Sequence, residues 1–570
     1  MLKMAGDEEK DYNWVKAAKL YVQASKSYSN KKMIKKAAVT CKKQAYAHTQ
    51  AARTMKNVEK YILKNKQAIN VYNKAAGFFK QTGNTPEKLE CEAEALYVSG
   101  FIKNSIMEAK EAFINSRKLF MESRRLYSKE DDQKSIARIM SRIGMASLYI
   151  VTYCSTQEEI EQFSHEGRDF AGKAWKLSKE TGNVQSLVDS IFSEGWLLFF
   201  EWMIKPFRGD EHYRKKTESL LLRSNETIKM VSDCQDSRLL GILYFCHGAL
   251  HFALGNQFSE VEREQKKFVD EGRRLLEKAL TFARESKDNA LIIESLFFLN
   301  WANSGSGRFD YLLKRVPDDL DEIIKLGEAF SGLYNIWSFY SSYYPALTYG
   351  YFAPRSIFTL TQRKTYAEQA IKNAIKCLNI FSFLPFLTWI YQILTWSYSQ
   401  LAAIAITKDE REEYAQKTLQ YAKQAGNIAE KYEGGWSKAS GSSSLYRAYK
   451  TLADIADNKE ERIEMLSAAV DAAKNYITHS IESRTGNIVA QIRVGLLYEE
   501  LGITTEDTKS LMNARVTFQS VVNECHERGY HSHAAAAHEY IAHIEDRLGK
   551  YIVSAEHYER AREAHSESLK

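Results

Sequence analysis

From about residue 135 onward the chain repeats one layout, and no other feature limits its fold so strongly. An apolar helix rich in aromatic residues is followed by a turn. A longer amphipathic helix rich in Ala, Lys and Glu comes next, then a polar break. The apolar helices start near residues 136, 184, 237, 289, 336, 386, 443, 488 and 532, a spacing of 44 to 57 residues. That length holds a hairpin of two helices of roughly 20 residues each. A hairpin of this kind cannot bury its apolar face alone, so successive hairpins stack into an array. Only 6 prolines interrupt 570 residues, which favours long helices over the many turns of a sandwich or barrel. The pattern predicts an all-α chain: a superhelical array of antiparallel helical hairpins, about 20 helices in all, with no sheet.

The turn signals agree. Gly182-Asn183, Asp288-Asn289, Gly486-Asn487 and Gly529-Tyr530 each separate an amphipathic helix from the next apolar one. Glycine or asparagine there can take the left-handed conformation that ends a helix. Small residues such as Ala171 and Ala174, Ala370 and Ala374, and Ala468 and Ala472 recur at helical spacing and allow close approach of neighbouring helices. Residues 8–128 are helical by the same periodicity, with Thr85-Pro86 marking a helix start. Ser304 to Gly307 and the stretch from Glu433 through Ser444 read as long turns.

Val494-Gly495-x-x-Tyr498-x-x-Leu501-Gly502, with Ala514-x-x-x-Phe518-x-x-Val521 downstream, resembles the two helices of a tetratricopeptide repeat. Ile541-Ala542 followed by Leu548-Gly549-Lys550-Tyr551 and Tyr558-x-x-Ala561 is similar, as is Gly248-x-x-His251-x-x-Leu254-Gly255. The sequence departs from that family at Glu545 and His251, where a large apolar residue is usual, and in its longer period. The resemblance implies a solenoid with a concave inner face used to bind peptides or protein surfaces.

Charge divides the chain. Residues 1–80 carry 18 Lys/Arg against 5 Asp/Glu, so the remaining residues of a chain with net charge +7 sum to −6. We therefore separate a basic helical N-terminal region, 1–135, from a repeat solenoid, 136–570. Seven scattered cysteines with no CxxC pair point to a reducing compartment, and the cytoplasm is the expected location.

No catalytic constellation and no cofactor motif emerges. The C-terminal histidines include His538-Glu539 and His543, but a spacing of five turns two imidazoles about 140° apart on a helix, which does not suit a zinc pair. Two segments, 329–354 and 377–407, lack any charge. They fall in phase with the apolar helices, so we read them as buried inner helices and not as membrane spans. Their Tyr and Trp content exceeds what packing needs. Trp337, Tyr340, Tyr344, Trp389, Trp396 and Tyr398 are the expected partner-binding residues, and Trp196 and Trp202 form a similar cluster earlier. In the basic region Lys32, Lys35, Lys36 and Lys43 form one stripe and Arg53, Lys56, Lys60 and Lys64 another, suited to an anionic partner. The leading expectation is a protein–protein scaffold or adaptor. A ligand- or peptide-sensing protein with an aromatic groove is the first alternative. An adaptor to nucleic acid or an anionic membrane through the basic region is the second.

Overall fold

A computed structural model describes the chain except residues 205–210, 260, 306–315, 381–382, 432–433, 481–483 and 569–570. The described residues form 24 α-helices and no strand. In chain order the first half holds α1 (Leu2–Lys10), α2 (Trp14–Asn30), α3 (Ile34–Arg53), α4 (Val58–Gln81), α5 (Thr85–Gly100), α6 (Ile106–Lys129), α7 (Gln133–Val151), α8 (Gln157–Thr181), α9 (Val184–Ile204), α10 (Glu211–Ser232), α11 (Ser237–Ala253) and α12 (Glu262–Glu285). The second half holds α13 (Asn289–Gly305), α14 (Val316–Gly327), α15 (Ile336–Phe352), α16 (Leu360–Leu378), α17 (Leu384–Ile404) and α18 (Lys408–Ala429). It continues with α19 (Gly435–Ile455), α20 (Lys459–Ser480), α21 (Arg484–Thr505), α22 (Thr508–Arg528), α23 (His531–Arg547) and α24 (Tyr551–Ser568).

Consecutive helices pack as hairpins, α3 on α4, α5 on α6 and so on to α23 on α24. The array continues through residue 135, where α6 packs on α7. From α7 onward the first helix of each hairpin is the more apolar one, and most of these helices contact their counterparts in neighbouring hairpins, so they form the inner layer. Within a hairpin, small residues set the approach. A Cβ on Gly100 would lie 2.6 Å from the Phe113 ring, and one on Gly495 would lie 2.6 Å from the Phe518 ring. Gly248 and Gly272 meet backbone to backbone: a Cβ on either would lie 2.9 Å from the other's carbonyl oxygen. Gly248 and Gly495 are positions at which the sequence resembles a tetratricopeptide repeat.

The inner layer also closes on itself. Asn289 Nδ2 donates to the Met55 carbonyl at 2.7 Å, and Asn335 Nδ2 to the Phe101 carbonyl at 3.1 Å, both across 234 residues. Trp202 meets Trp436, again 234 residues on, at 5.8 Å between ring centroids. These contacts join α3 to α13, α5 to α15 and α9 to α19, so one superhelical turn comprises ten helices among the described residues. The carbonyls at the end of an inner helix have no partner within that helix. The side-chain amide at the start of the inner helix ten places later supplies one. The result is one connected core cluster whose members range from Ala45 to Leu401.

Gly182 and Gly529 end α8 and α22 in the left-handed conformation, as their sequence context predicts. Two turn expectations are corrected. Gly486-Asn487 lies inside α21, and Gly435 to Ser444 is the first half of α19. The run of Gly and Ser in α19 serves close packing: a Cβ on Gly441 would come within 3.0 Å of Ala429 Cβ and 3.2 Å of Gly426 Cα. Of the other expected turn, Ser306 and Gly307 lie outside the described residues. Glu545, where the family pattern has an apolar residue, is buried against Arg515 and lies 3.5 Å from Lys550 Nζ.

Candidate functional site

Two consecutive inner helices, α17 and α19, flank a groove of about 540 Å³. Ser399 and Gln400 line it from α17, Tyr446, Arg447, Lys450, Thr451 and Asp454 from α19, and Arg411 reaches in from α18. Rings hold the guanidinium groups here. Arg447 lies 5.7 Å over the Trp396 ring. Arg493, from α21, lies 5.2 Å over Tyr446 and 5.6 Å over Tyr476, and donates to Ser443 Oγ at 3.3 Å. Arg411 Nε donates to the Ala405 carbonyl at 2.9 Å.

No carboxylate pairs with Arg411, Arg447 or Arg493 among the described residues. Lys450 differs, because Asp454 and Glu500 neutralise it. Two buried donors also lack an acceptor there, Trp396 Nε1 and Arg447 Nε. Buried donors are nearly always satisfied by protein or water, so orphans at a groove point to something they can bond. The local potential registers on Tyr446. Burial pushes its phenol up, yet Arg493, Arg447 and Lys450 outweigh burial and hold it below the ordinary tyrosine range.

The partner-binding residues expected from sequence divide. Trp396 does not line the groove but packs under Arg447, which does. Tyr398 is 9 % exposed, stacks on Tyr421 at 5.5 Å and lies beneath Lys417. Trp389 is half-buried between Trp301, Phe386 and Trp436. Trp337, Tyr340 and Tyr344 are 2 %, 0 % and 1 % exposed, so the expectation of a binding surface at these three is corrected. Trp337 donates to Glu294 Oε1 at 2.8 Å and stacks on Phe101, while Tyr340 stacks on Phe297 at 4.7 Å. The physical reason is the superhelical seam. Inner helices covered by the next turn have two faces to bury, and aromatic residues fill both.

The basic residues divide as well. Lys32, Lys35, Lys36, Lys43, Lys56 and Lys60 are exposed. Lys64 is half-buried and donates to Gln67 Oε1 at 3.1 Å, and burial together with Lys19 lowers its pKa. Arg53 is no part of a solvated stripe. Its Nε reaches both Asp288 oxygens at 2.9 and 2.8 Å, and its guanidinium lies 5.0 Å over Trp337. The sequence places it on a lysine-rich helix, but the seam claims it.

Among the described residues no group of three or more His, Cys, Asp or Glu is placed to hold a metal ion. His538 meets His557 of the next helix, Nδ1 to Nδ1 at 3.0 Å, while His543 packs on Tyr558. All seven cysteines are free thiols. The charge-free segments 336–352 and 386–404 are adjacent inner helices, joined by Phe339 on Phe386 at 5.2 Å and Tyr351 on Trp396 at 6.0 Å. Among the described residues one helix, Ser237–Asn256, is long and apolar enough to cross a membrane, and 72% of it is buried inside the protein.

The class these observations define is an all-helical, tetratricopeptide-like repeat solenoid. No protein-family model matches the sequence, and no curated protein matches it. Among solved structures, a monomeric mutant of IFIT1 with Gppp-AAAA aligns at 10% identity and a TM-score of 0.36, covering 87% of this chain and 90% of that one. A human IFIT1 dimer with m7Gppp-AAAA aligns over the same shares at 12% identity and a TM-score of 0.33. Likeness at this level says nothing of what the present chain binds.

Proposed function

We propose that this protein is a ligand-binding helical-repeat protein that captures an anionic ligand on its inner face. The observation that carries this reading is the pair Arg447 and Arg493, held against Trp396, Tyr446 and Tyr476 with no carboxylate partner among the described residues. Aromatic faces attract a guanidinium without cancelling its charge. An unneutralised guanidinium on the groove wall beside an orphan indole N–H, with a second guanidinium across the Tyr446 ring, is suited to an oxyanion that accepts several hydrogen bonds. This supports the ligand-sensing alternative over a general protein scaffold. The groove is narrow, local and charged, whereas much of the aromatic surface expected to receive a protein is interior.

Titrating the full chain with inorganic pyrophosphate, and separately with citrate, tests the reading through tryptophan fluorescence. A charge-assisted hydrogen bond is worth about 1.5–3 kcal/mol, so Arg493→Gln and Arg447→Gln should each weaken binding on the order of 10- to 100-fold. Melting temperatures should stay close to wild type. Unchanged affinity in both variants would remove the groove as the binding site.

The exposed lysines carry a second reading. None of Lys32, Lys35, Lys36, Lys43, Lys56 and Lys60 forms an ion pair among the described residues. A polyanionic surface would be attracted there in a salt-dependent way, since charges screen over about 8 Å at physiological ionic strength. Heparin retention that falls when Lys56, Lys60 and Lys64 are reversed to Glu would support it, and unaltered retention would oppose it.

A further inference from the structure

The groove between α17 and α19 carries a guanidinium at each end. Its lining on α19 runs from Tyr446 to Ile455. At a helical rise of ~1.5 Å per residue that span is about 13 Å. The two inner helices lie side by side along it: Arg447 sits 5.7 Å over Trp396, and Ser399 Oγ meets Thr451 Oγ1 at 2.9 Å. Arg447 therefore marks the end of the groove beside the middle of α17. Arg411 marks the other end. Its Nε donates to the carbonyl of Ala405, the residue that follows α17, and Ile455 is the last residue of α19. Neither guanidinium has a carboxylate partner among the described residues.

Between the two ends no unpaired charge lines the groove. Lys450 is held by Asp454, the one carboxylate in the lining, and by Glu500 at 3.2 Å. Thr451 donates to the Arg447 carbonyl at 2.8 Å, so the Ser399 hydroxyl donates to Thr451. Ala402 and Ala403 add a small, uncharged strip of wall. Gln400 accepts from Arg363 through Oε1 at 3.2 Å, which leaves its amide N–H groups as donors. The volume of about 540 Å³ falls in the range of small-molecule sites. A compact anion can engage only one end of such a groove. A ligand that uses both guanidiniums needs an anionic group at each end and an uncharged middle.

We propose that the groove takes a linear dianion, one anionic group on Arg447 and the other on Arg411. This rests on the reading of the groove as an anion site. The probe is suberate, titrated into the full chain by calorimetry beside succinate, octanoate and pyrophosphate. An extended chain advances about 1.3 Å per carbon–carbon bond, so suberate separates its carboxyl carbons by about 9 Å and succinate by about 4 Å. With an arginine reaching inward from each end, suberate spans the groove and succinate does not. Octanoate has the same chain with one charge. Suberate should bind at least about tenfold tighter than succinate and octanoate, the yield of a second charge-assisted hydrogen bond. Arg411→Gln should remove that advantage and leave pyrophosphate, held at the Arg447 end, little changed. If neither pyrophosphate nor suberate binds, or both bind folded Arg447→Gln as well as wild type, the anion site is lost and this proposal with it. If pyrophosphate binds through Arg447 but suberate has no advantage over succinate and octanoate, the two-ended ligand alone is overturned. An advantage that persists in folded Arg411→Gln overturns it too. The comparison of ligands on wild type decides the matter even where a variant fails to fold.

Discussion

Asp288 shows how one residue can hold distant parts of this chain together. Arg53 bonds it from the first superhelical turn, Arg238 approaches it at 3.5 Å, and it caps α13 through the Leu291 amide at 3.1 Å. Removing one partner of a buried ion pair leaves the other charge uncompensated and costs about 3–5 kcal/mol. Asp288→Ala should therefore lower stability by about 3 kcal/mol, while Lys56→Ala, on the exposed side of the same region, should stay within about 0.5 kcal/mol. Thermal unfolding checks both. Glu294, fully buried nearby, gives a pH prediction. Burial raises its carboxyl to about 7, against the opposing pull of Arg53 and the Trp337 N–H. Between the unfolded value near 4.5 and about 7 the native state holds a proton that the unfolded chain has lost. This contribution to stability is full below about pH 4.5, declines as pH rises and is gone above about 7, a swing of about 3 kcal/mol. Glu294→Gln should remove that decline, so its melting temperature should exceed wild type at pH 8 and approach it at pH 5. A parallel decline in both proteins would contradict the assignment. Asp288 stood out in the sequence only as a turn residue and Glu294 not at all, because each takes its role from a neighbour far along the chain.

At the scale of helices, the apolar period was legible because it is local. A hairpin needs one inward face, and that face recurs every 44 to 57 residues. The observed inner helices begin at Gln133, Val184, Ser237, Asn289, Ile336, Leu384, Gly435, Arg484 and His531. The largest displacement is at Gly435, where a Gly- and Ser-rich stretch looks like a turn by composition. In the fold its small side chains admit α18, and close packing overrides weak helix propensity. The same contrast separates glycines by what surrounds them. Gly77 is helical with nothing within 4 Å of an added Cβ, so Gly77→Ala should stabilise by about 0.5–1 kcal/mol. Gly100 lies on the Phe113 ring, so Gly100→Ala should destabilise by about 1–3 kcal/mol through overpacking. Denaturation midpoints that shift in opposite directions for these two changes are the expected result.

Over the whole molecule, the array winds past one full turn, and this explains which candidate residues survived. Trp396 packs under Arg447 at the groove and stays half-buried. Trp337, Tyr340 and Arg53 lie where one turn covers the next. No sequence period reveals a contact spaced 234 residues apart, since neither partner's neighbourhood records the other. The groove was half legible for the same reason. Its tryptophan stood in an aromatic stretch, but Arg447 and Arg493 are isolated basic residues on separate helices, and only stacking brings them together. The most direct test compares pyrophosphate affinity in wild type, in the double variant Arg447→Gln with Arg493→Gln, and in the triple variant reversing Lys56, Lys60 and Lys64 to Glu. Inner-face capture predicts a loss of at least about tenfold in the double variant and a change within about twofold in the triple variant. Wild-type affinity in the folded double variant, with the loss confined to the triple variant, would contradict it.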